Sequence, residues 1–351
     1  MSPHKSVTLE LSSLMGTKLT GVGRYILELM RGLTDHQVHV KGAYKIQRLR
    51  NLKQLKANLQ GLPIQLSPHA EGLGLRGLLH CPDVYVPFLK PQGTIVTVHD
   101  LQTLYPGFSS QGFSERGRKS LESLFQSDLS AVIVPSHFVK KEIEDHFPNF
   151  KRPVFVIPHG FHRLVSPPIT QKRSRPYFLY LGTLEERKNT LRLIHAFEVF
   201  CETNKDVDLV LVGSSGFGSA KIDDAIQSSK WLHRIERKNF LSDQEVVGLI
   251  KSCVGFVYPS LYEGFGLPII EAMSLGAPVI TSNRGAMAEV SGGQCLLIHP
   301  ESTESLATAL TELSRNSSLR ESLSQKSLVW AQNFSWEKSV NSHLDVYRRF
   351  I

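Results

Sequence analysis

What the sequence lacks narrows its reading first. No run of about 18 apolar residues occurs anywhere along its 351 residues, so no segment has the composition of a membrane-spanning helix. The opening MSPHKSVTLELSS passes straight into a strand pattern with no apolar targeting core, and we read no signal peptide in it. Cysteine is scarce: Cys81, Cys201, Cys253 and Cys295 lie far apart, with none of the paired spacings of a zinc site or a redox motif. These thiols are expected to be reduced and structural, which fits a cytoplasmic protein. No repeat with a period of about 20 to 50 residues and no low-complexity tract is visible, which excludes solenoids and disordered arrays.

What is present is the composition of an ordinary globular protein, 41% hydrophobic and 21% charged, long enough for two medium-sized cores. The net charge of +8 is unevenly placed: 20 Lys and Arg face 12 Asp and Glu before residue 165, and 20 face 20 after it. A basic half suits anionic lipid headgroups, a lipid-phosphate acceptor or nucleic acid, and equally a basic surface with no partner. Nucleic acid is disfavoured, because Lys45 to Lys56 (KIQRLRNLKQLK) has no interleaved aromatics and no recognisable binding motif around it.

Short apolar runs alternate with amphipathic stretches in the first half: Ser6 to Leu11, the helix pattern GRYILELMRGL, Val38 to Tyr44, Thr94 to Val98 and Ala131 to Val134. Such alternation indicates βα units and a parallel sheet, and runs such as TIVTV and AVIV imply burial on both faces. From Val154 to Pro176 the texture turns proline-rich and basic, which marks the linker. A second series follows: FLYLG, a helix over Leu191 to Thr203, DLVLVG, a segment ending at Phe240, a helix over Asp243 to Ser252, GFVYPS, a helix after Gly266, APVITS and QCLLIHP. The expected architecture is α/β, with two doubly wound parallel sheets in tandem and a cleft between them. The expected domains are 1–165 and 166–333, with 334–351 a helix that packs back over the first.

The most informative window is VYPSLYEGFGLPIIEAMSLGAPVITS, residues 257–282. It reads as a strand end, a glycine-flanked turn over Glu263 to Gly266, and a helix opened by Pro268 and closed at Gly276. Amides near Gly266 to Ile269 then form a site for an anion such as a pyrophosphate. Glu263 in the turn and Glu271 in the first helical turn are placed to accept hydrogen bonds from hydroxyls, which a nucleotide sugar carries on its sugar and its ribose. The same carboxylates also fit a plainer role, Glu271 complementing the helix dipole and Glu263 solvated in its loop. A second window, FLYLGTLEERKN, places Arg187 and Lys188 beyond the carboxyl end of a buried strand ending at Gly182, where two cations can neutralise a diphosphate. Adjacent basic residues before a helix are also commonly idle.

Gly21 and Gly23 open a helix, but the third glycine of a dinucleotide fingerprint is missing. His99, with Asp100, ends the strand TIVTV; it is either structural or directed to a ligand. The triplet Asp206-Val207-Asp208 has the look of a metal-binding DxD, but it precedes its strand and lies at the wrong end, so no metal site is expected.

With these residues assembled, EGFGLPIIE with its E-x7-E spacing, flanked by YPS and EAMSLGAPVITS, resembles the retaining glycosyltransferase family 4, among the glycosyl transferases of group 1 and of the GT-B fold. The resemblance covers nearly the whole chain. GTLEERKN is similar to the family's donor-phosphate loop, TGVGRY to its amino-terminal glycine loop, and VTVHD to its first-domain histidine strand. GTLEERKN is closest to mannosyltransferase-like members of polysaccharide and O-antigen assembly. The resemblance implies transfer of a hexose, mannose from GDP-mannose, to a hydroxyl of a growing glycan or lipid-linked acceptor, with retained configuration and no cofactor or metal. It implies that Arg187 and Lys188 hold the diphosphate, Glu263 the sugar hydroxyls, and Glu271 the ribose. His99 would line the acceptor side or touch the donor sugar. Gly21, Gly23, Gly182, Thr183, Gly213, Gly264, Phe265, Gly266 and Leu267 complete the donor site. The chain departs from the family at Thr183, where many members carry Arg, and at His159-Gly160, where others carry Asn-Gly. From cysteine usage and charge, the protein is expected to be cytoplasmic, with either a peripheral contact to the anionic inner face of the membrane through its basic half or an uncommitted basic surface there, and with no nucleic-acid partner. The rivals are a sugar-phosphate synthase or phosphorylase of the same fold, and a non-catalytic sugar-nucleotide-binding protein, which would be expected to have lost Glu263 or the Arg187-Lys188 pair.

Overall fold

The computed structural model describes residues 6–16, 19–161, 173–239 and 241–351. Residues 162–172 of the proline-rich, basic linker stretch, and Phe240, lie outside the described residues. The chain divides into two compact units, one of Met1–Leu104, Glu115–Gly160 and Ser335–Ile351, the other of Tyr105–Ser114 and Phe161–Phe334.

The first unit holds a seven-stranded sheet of order β3-β2-β1-β4-β5-β6-β7. Its strands are β1 (Ser6–Glu10), β2 (His39–Lys45), β3 (Gln65–His69), β4 (Leu78–Cys81), β5 (Thr94–Thr97), β6 (Ala131–Val134) and β7 (Val154–Val156), all paired in parallel. The helices α1 (Gly21–Asp35), α2 (Leu52–Asn58), α3 (Gln111–Gln126) and α4 (His137–His146) intervene. Strands β4, β5 and β6 are buried at every position, and alternation along them sends Leu78, Ile95 and Ile133 into one core and Leu79, Val96 and Val132 into another. Three strands of this sheet escape the pattern reading. QLSPH and LLHC are short and carry polar residues, and Val154–Val156, read as the start of the linker, is instead a half-buried edge strand paired with β6.

The second unit holds a six-stranded sheet of order β10-β9-β8-β11-β12-β13. It comprises β8 (Tyr177–Leu181), β9 (Asp208–Val212), β10 (Ile235–Lys238), β11 (Gly255–Tyr258), β12 (Val279–Ser282) and β13 (Leu296–Ile298), again parallel. Its helices are α5 (Thr190–Thr203), α6 (Ser219–Ser228), α7 (Asp243–Ser252), α8 (Leu267–Ser274), α9 (Gly285–Ser291), α10 (Thr303–Arg315) and α11 (Ser317–Ala331). Helix α7 starts where Ser242 and Glu245 form a reciprocal capping box. The strand order reverses at β8, which has β9 on one side and β11 on the other. Loops leaving the carboxyl ends of β8 and β11 therefore part in opposite directions, which opens a crevice there. At the ends of β8 and β9 the backbones nearly touch: a Cβ on Gly213 would stand 1.8 Å from the Gly182 carbonyl oxygen, so only glycine fits.

The last helix, α12 (Trp336–Tyr347), belongs to the first unit. Val340, Leu344 and Tyr347 join its core, and Gly32 of α1 leaves room for Val340, whose Cγ2 would lie 2.4 Å from a Cβ there. A buried polar chain pins the helix as well. His343 Nδ1 donates to the Ser339 carbonyl at 2.7 Å, so its Nε2 accepts, and Tyr25 donates to it at 2.8 Å. The Tyr25 oxygen then accepts from Thr97 at 2.9 Å, Thr97 accepts from His80 Nε2 at 2.8 Å, and His80 Nδ1 accepts from the Tyr347 hydroxyl at 2.6 Å. Every donor in the series is thereby assigned, provided that both histidines are neutral. Burial holds them so: His343 is lowered to about 4, chiefly by desolvation, and His80 falls well below its ordinary value for the same reason, reinforced by His343 and His99.

Candidate active site

At the strand-order reversal of the second unit, the segment after β8 and the segment after β11 are tied together by their backbones and by side chains, first that of Asn189. The 3₁₀ turn Glu186–Lys188 ends at Asn189, which has φ 60 and begins α5. The Asn189 amide donates to the carbonyls of Pro259 (3.0 Å) and Pro300 (2.6 Å), while Leu261 N–H donates to the Arg187 carbonyl (2.8 Å). This bracing decides where the next side chains stand.

Arg187 donates through Nη1 to the Tyr262 carbonyl and to Glu263 Oε2, both at 2.8 Å, and through Nη2 to Glu185 Oε1 at 2.7 Å. Lys188 donates to the Tyr258 hydroxyl at 2.7 Å and lies 3.3 Å from Glu263 Oε1. The same Oε1 accepts from Tyr258 at 2.7 Å and from Ser260 at 3.3 Å. The Arg187, Lys188 and Glu263 side chains are only 11%, 13% and 12% exposed, so the cluster is nearly closed to water. Burial alone would raise the Glu263 pKa, but the charges of Lys188 and Arg187, with the hydrogen bonds from Arg187 and Tyr258, outweigh it and hold the carboxyl at about 2. Glu263 is thus an ionised carboxylate held through both oxygens rather than a solvated loop residue. Arg187 and Lys188 are correspondingly not an unopposed positive pair; with Glu185 and Glu263 they form a quartet of balanced charge.

The segment Gly264 to Gly266 follows directly and is buried. Gly266, at φ 102, is the N-cap of α8; no side chain caps the helix, and a proline occupies its first turn. Its start therefore presents main-chain amides and the positive end of the helix dipole. Glu271 is half-buried and is the fifth residue of α8, just beyond the first turn where the sequence reading put it. Phe265 is buried against Phe334, with ring centroids 5.9 Å apart, and Leu267 opens the helix. Thr183 lends its carbonyl to the Tyr180 hydroxyl at 2.9 Å. Tyr105 and Phe108, far away in sequence, pack their rings on Tyr262 at 5.0 and 5.9 Å.

The structure thus gathers Arg187, Lys188 and Glu263 into one hydrogen-bonded set, with Gly182, Thr183, Gly213, Gly264, Phe265, Gly266, Leu267 and Glu271 in the same unit. Gly21, Gly23 and His99 belong to the first unit. There the Gly23 amide already donates to the capping hydroxyl of Thr20 at 3.2 Å, and a Cβ on Gly23 would press within 2.8 Å of Leu19. His99 Nε2 donates to the Pro82 carbonyl at 2.9 Å, so its Nδ1 accepts from His159 Nε2 at 3.2 Å. Burial keeps His99 neutral. Asp208 is engaged by Arg175 at 3.1 Å, and among the described residues no group of three or more His, Cys, Asp or Glu could hold a metal ion. Sequence reasoning missed Glu185, Asn189 and Tyr258. Only the adjacency of Glu185 and Asn189 to the basic pair could have signalled them, and Tyr258 reads as an ordinary core aromatic.

Residues 166–330 match the family described as glycosyl transferases group 1. The chain is 29% identical to the O-antigen chain mannosyltransferase B of Escherichia coli over 372 residues, covering 94% of this chain and 96% of that one. Sucrose-phosphate synthase from Thermosynechococcus elongatus shares the fold with a TM-score of 0.77 at 18% identity, covering 98% of each chain. Anabaena Alr3699/HepE, crystallised with UDP and glucose, does so with a TM-score of 0.76 at 17% identity, over 99% of this chain and 100% of that one. Residues 166–330 thus match the glycosyl transferases of group 1, and the chain shares with these structures the GT-B fold of two Rossmann-like units.

Proposed function

We propose that the protein is a retaining hexosyltransferase that moves mannose from GDP-mannose to a hydroxyl of a growing glycan or lipid-linked acceptor, without a metal ion. The observation that carries this reading is the nearly closed set of Arg187, Lys188 and Glu263 beside the start of α8. The leaving group is a nucleoside diphosphate, and its developing charge is stabilised by preorganised cations and helix amides. Arg187 and Lys188 supply that charge, and the amides from Gly264 to Leu267 add to it. Glu263, ionised at any working pH, accepts hydrogen bonds from the sugar hydroxyls, and Glu271 from the ribose. Gly182, Thr183 and Gly213 shape the donor site where β8 and β9 end, Gly21 and Gly23 are further donor-binding residues, and His99 serves the acceptor side. No protein nucleophile is needed if a donor phosphate oxygen takes the acceptor's proton while the glycosyl bond breaks and the new bond forms on the same face.

Mannose as the sugar is supported by the name of the Escherichia coli relative. The basic first half supports a peripheral contact with an anionic membrane from the cytoplasmic side. So do the exposed Leu73, Phe88 and Leu89, which with Lys90 line a cavity of about 520 Å³.

The test is transfer of labelled sugar from GDP-mannose, UDP, ADP and dTDP sugars to a glycan or lipid-linked acceptor, with excess EDTA and with the product anomer read by NMR. GDP-mannose is expected to give an α-linked product at a rate that EDTA leaves unchanged. Transfer from another donor alone would remove mannose, a β-linked product would remove retention, and loss with EDTA reversed by manganese would remove metal independence.

A further inference from the structure

Tyr258 is the last residue of β11 and has no part in the roles assigned so far. Its ring is 1% exposed and lies near-parallel to two others, Phe256 at 6.2 Å and Tyr180 at 6.1 Å, each tilted by 14°. A buried ring packed near-parallel to two others in a close-packed core cannot swing, so its hydroxyl is a fixed point. That hydroxyl donates to Glu263 Oε1 and accepts from Lys188 Nζ, both at 2.7 Å. Phenylalanine would fill the same space, so packing does not explain the oxygen.

A fixed hydroxyl solves a particular problem for this site. Lysine carries its charge on a flexible four-carbon stem, and ordering such a side chain is entropically unfavourable. The glutamate carboxylate can also rotate about its last bond. One hydroxyl that accepts from the first and donates to the second sets both at once. The arrangement requires a neutral phenol, and burial, then the negative charge of Glu263, pushes the Tyr258 pKa well above its ordinary value.

We propose that Tyr258 is a positioning residue for glycosyl transfer, its hydroxyl holding the Lys188 ammonium and the Glu263 carboxylate in the geometry they need against the donor. This rests on the roles given above to Lys188 and Glu263.

The test is a double-mutant cycle: Tyr258→Phe in the wild-type, Lys188→Ala and Glu263→Gln backgrounds. For each, kcat and the donor KM are measured with GDP-mannose, or with whichever screened sugar nucleotide supports transfer, alongside the melting temperature. In the wild-type background, Tyr258→Phe is expected to lower kcat on the order of tenfold, the equivalent of one hydrogen bond, with a smaller change in KM. In either of the other backgrounds it is expected to have almost no further effect, because residues acting as one unit are non-additive. General loosening of the core would instead lower kcat equally in all three. That equal loss, or wild-type kcat in Tyr258→Phe alone, overturns the proposal while leaving the reading of Lys188 intact. Wild-type turnover in Lys188→Ala overturns that reading, and this proposal with it.

Discussion

The two units bury polar groups under strand ends in contrasting ways. The first threads two neutral histidines and three hydroxyls into a one-way series, Tyr347 to His80 to Thr97 to Tyr25 to His343, anchored on the Ser339 carbonyl. The second gathers full charges, Arg187 and Lys188 against Glu185 and Glu263. Hydrogen bonds between neutral groups fix direction at a modest desolvation penalty, whereas buried ions demand close, complete pairing. The series joins α12 to the sheet of its unit. The charged set stands where a parallel α/β sheet opens, and such clusters suit a site that must meet an anionic leaving group.

The sharpest way to break the contrast is to remove one charge. Glu263→Ala should lower turnover on the order of 100-fold or more, and stability by about 3 kcal/mol, because Arg187 and Lys188 lose their shared partner in a nearly closed site. Transfer assays and thermal unfolding read the two effects, and wild-type values in both would remove the cluster from the mechanism.

Acid separates the units next. His343 titrates at about 4 in the folded protein against 6.5 unfolded, so its contribution is whole above pH 6.5 and is lost as the pH falls to 4. By linkage that loss is on the order of 3 kcal/mol. Glu263, at about 2 against 4.5, keeps its contribution above pH 4.5 and loses it only towards pH 2. Amide exchange across Ser335–Ile351 should therefore accelerate between pH 6.5 and 4, before the second unit responds. His343→Gln, which stays neutral, should remove one histidine's share of that slope and leave those of the buried His80, His99 and His159, and an unchanged slope would contradict the neutral series.

The smallest expected effect is a single lost hydroxyl. Tyr25→Phe should destabilise by about 2 kcal/mol, leaving Thr97 and His343 each without one partner in the core. Denaturant melts check this, and a neutral outcome would mean that the series rearranges around the gap.

Alternating apolar runs made the two parallel sheets legible, since β5, β6, β8, β9, β11 and β12 are apolar enough to stand out between helix patterns. Strands β3 and β4 did not, because a strand of four or five residues with Gln, Ser or His in it has no period to detect, and the three residues of β7 merge into the proline-rich stretch that follows them. In the site, Arg187, Lys188 and Glu263 were legible from their places after strand ends. Their mutual pairing was not, because it depends on contacts between residues about 75 positions apart. Tyr258 was hidden for a different reason, since its ring belongs to the core and only its oxygen to the site. Nothing in the pattern of the chain announces that Tyr105–Ser114 groups with the second unit.

Asn189 carries a last consequence. Both hydrogens of its one amide meet carbonyl oxygens, those of Pro259 and Pro300, so the segments that follow β8, β11 and β13 share a single knot. Aspartate has the same outline, yet it would set oxygen against oxygen at both contacts. The cohesion of three stretches of chain thus turns on the identity of one nitrogen, which neither size nor shape could replace.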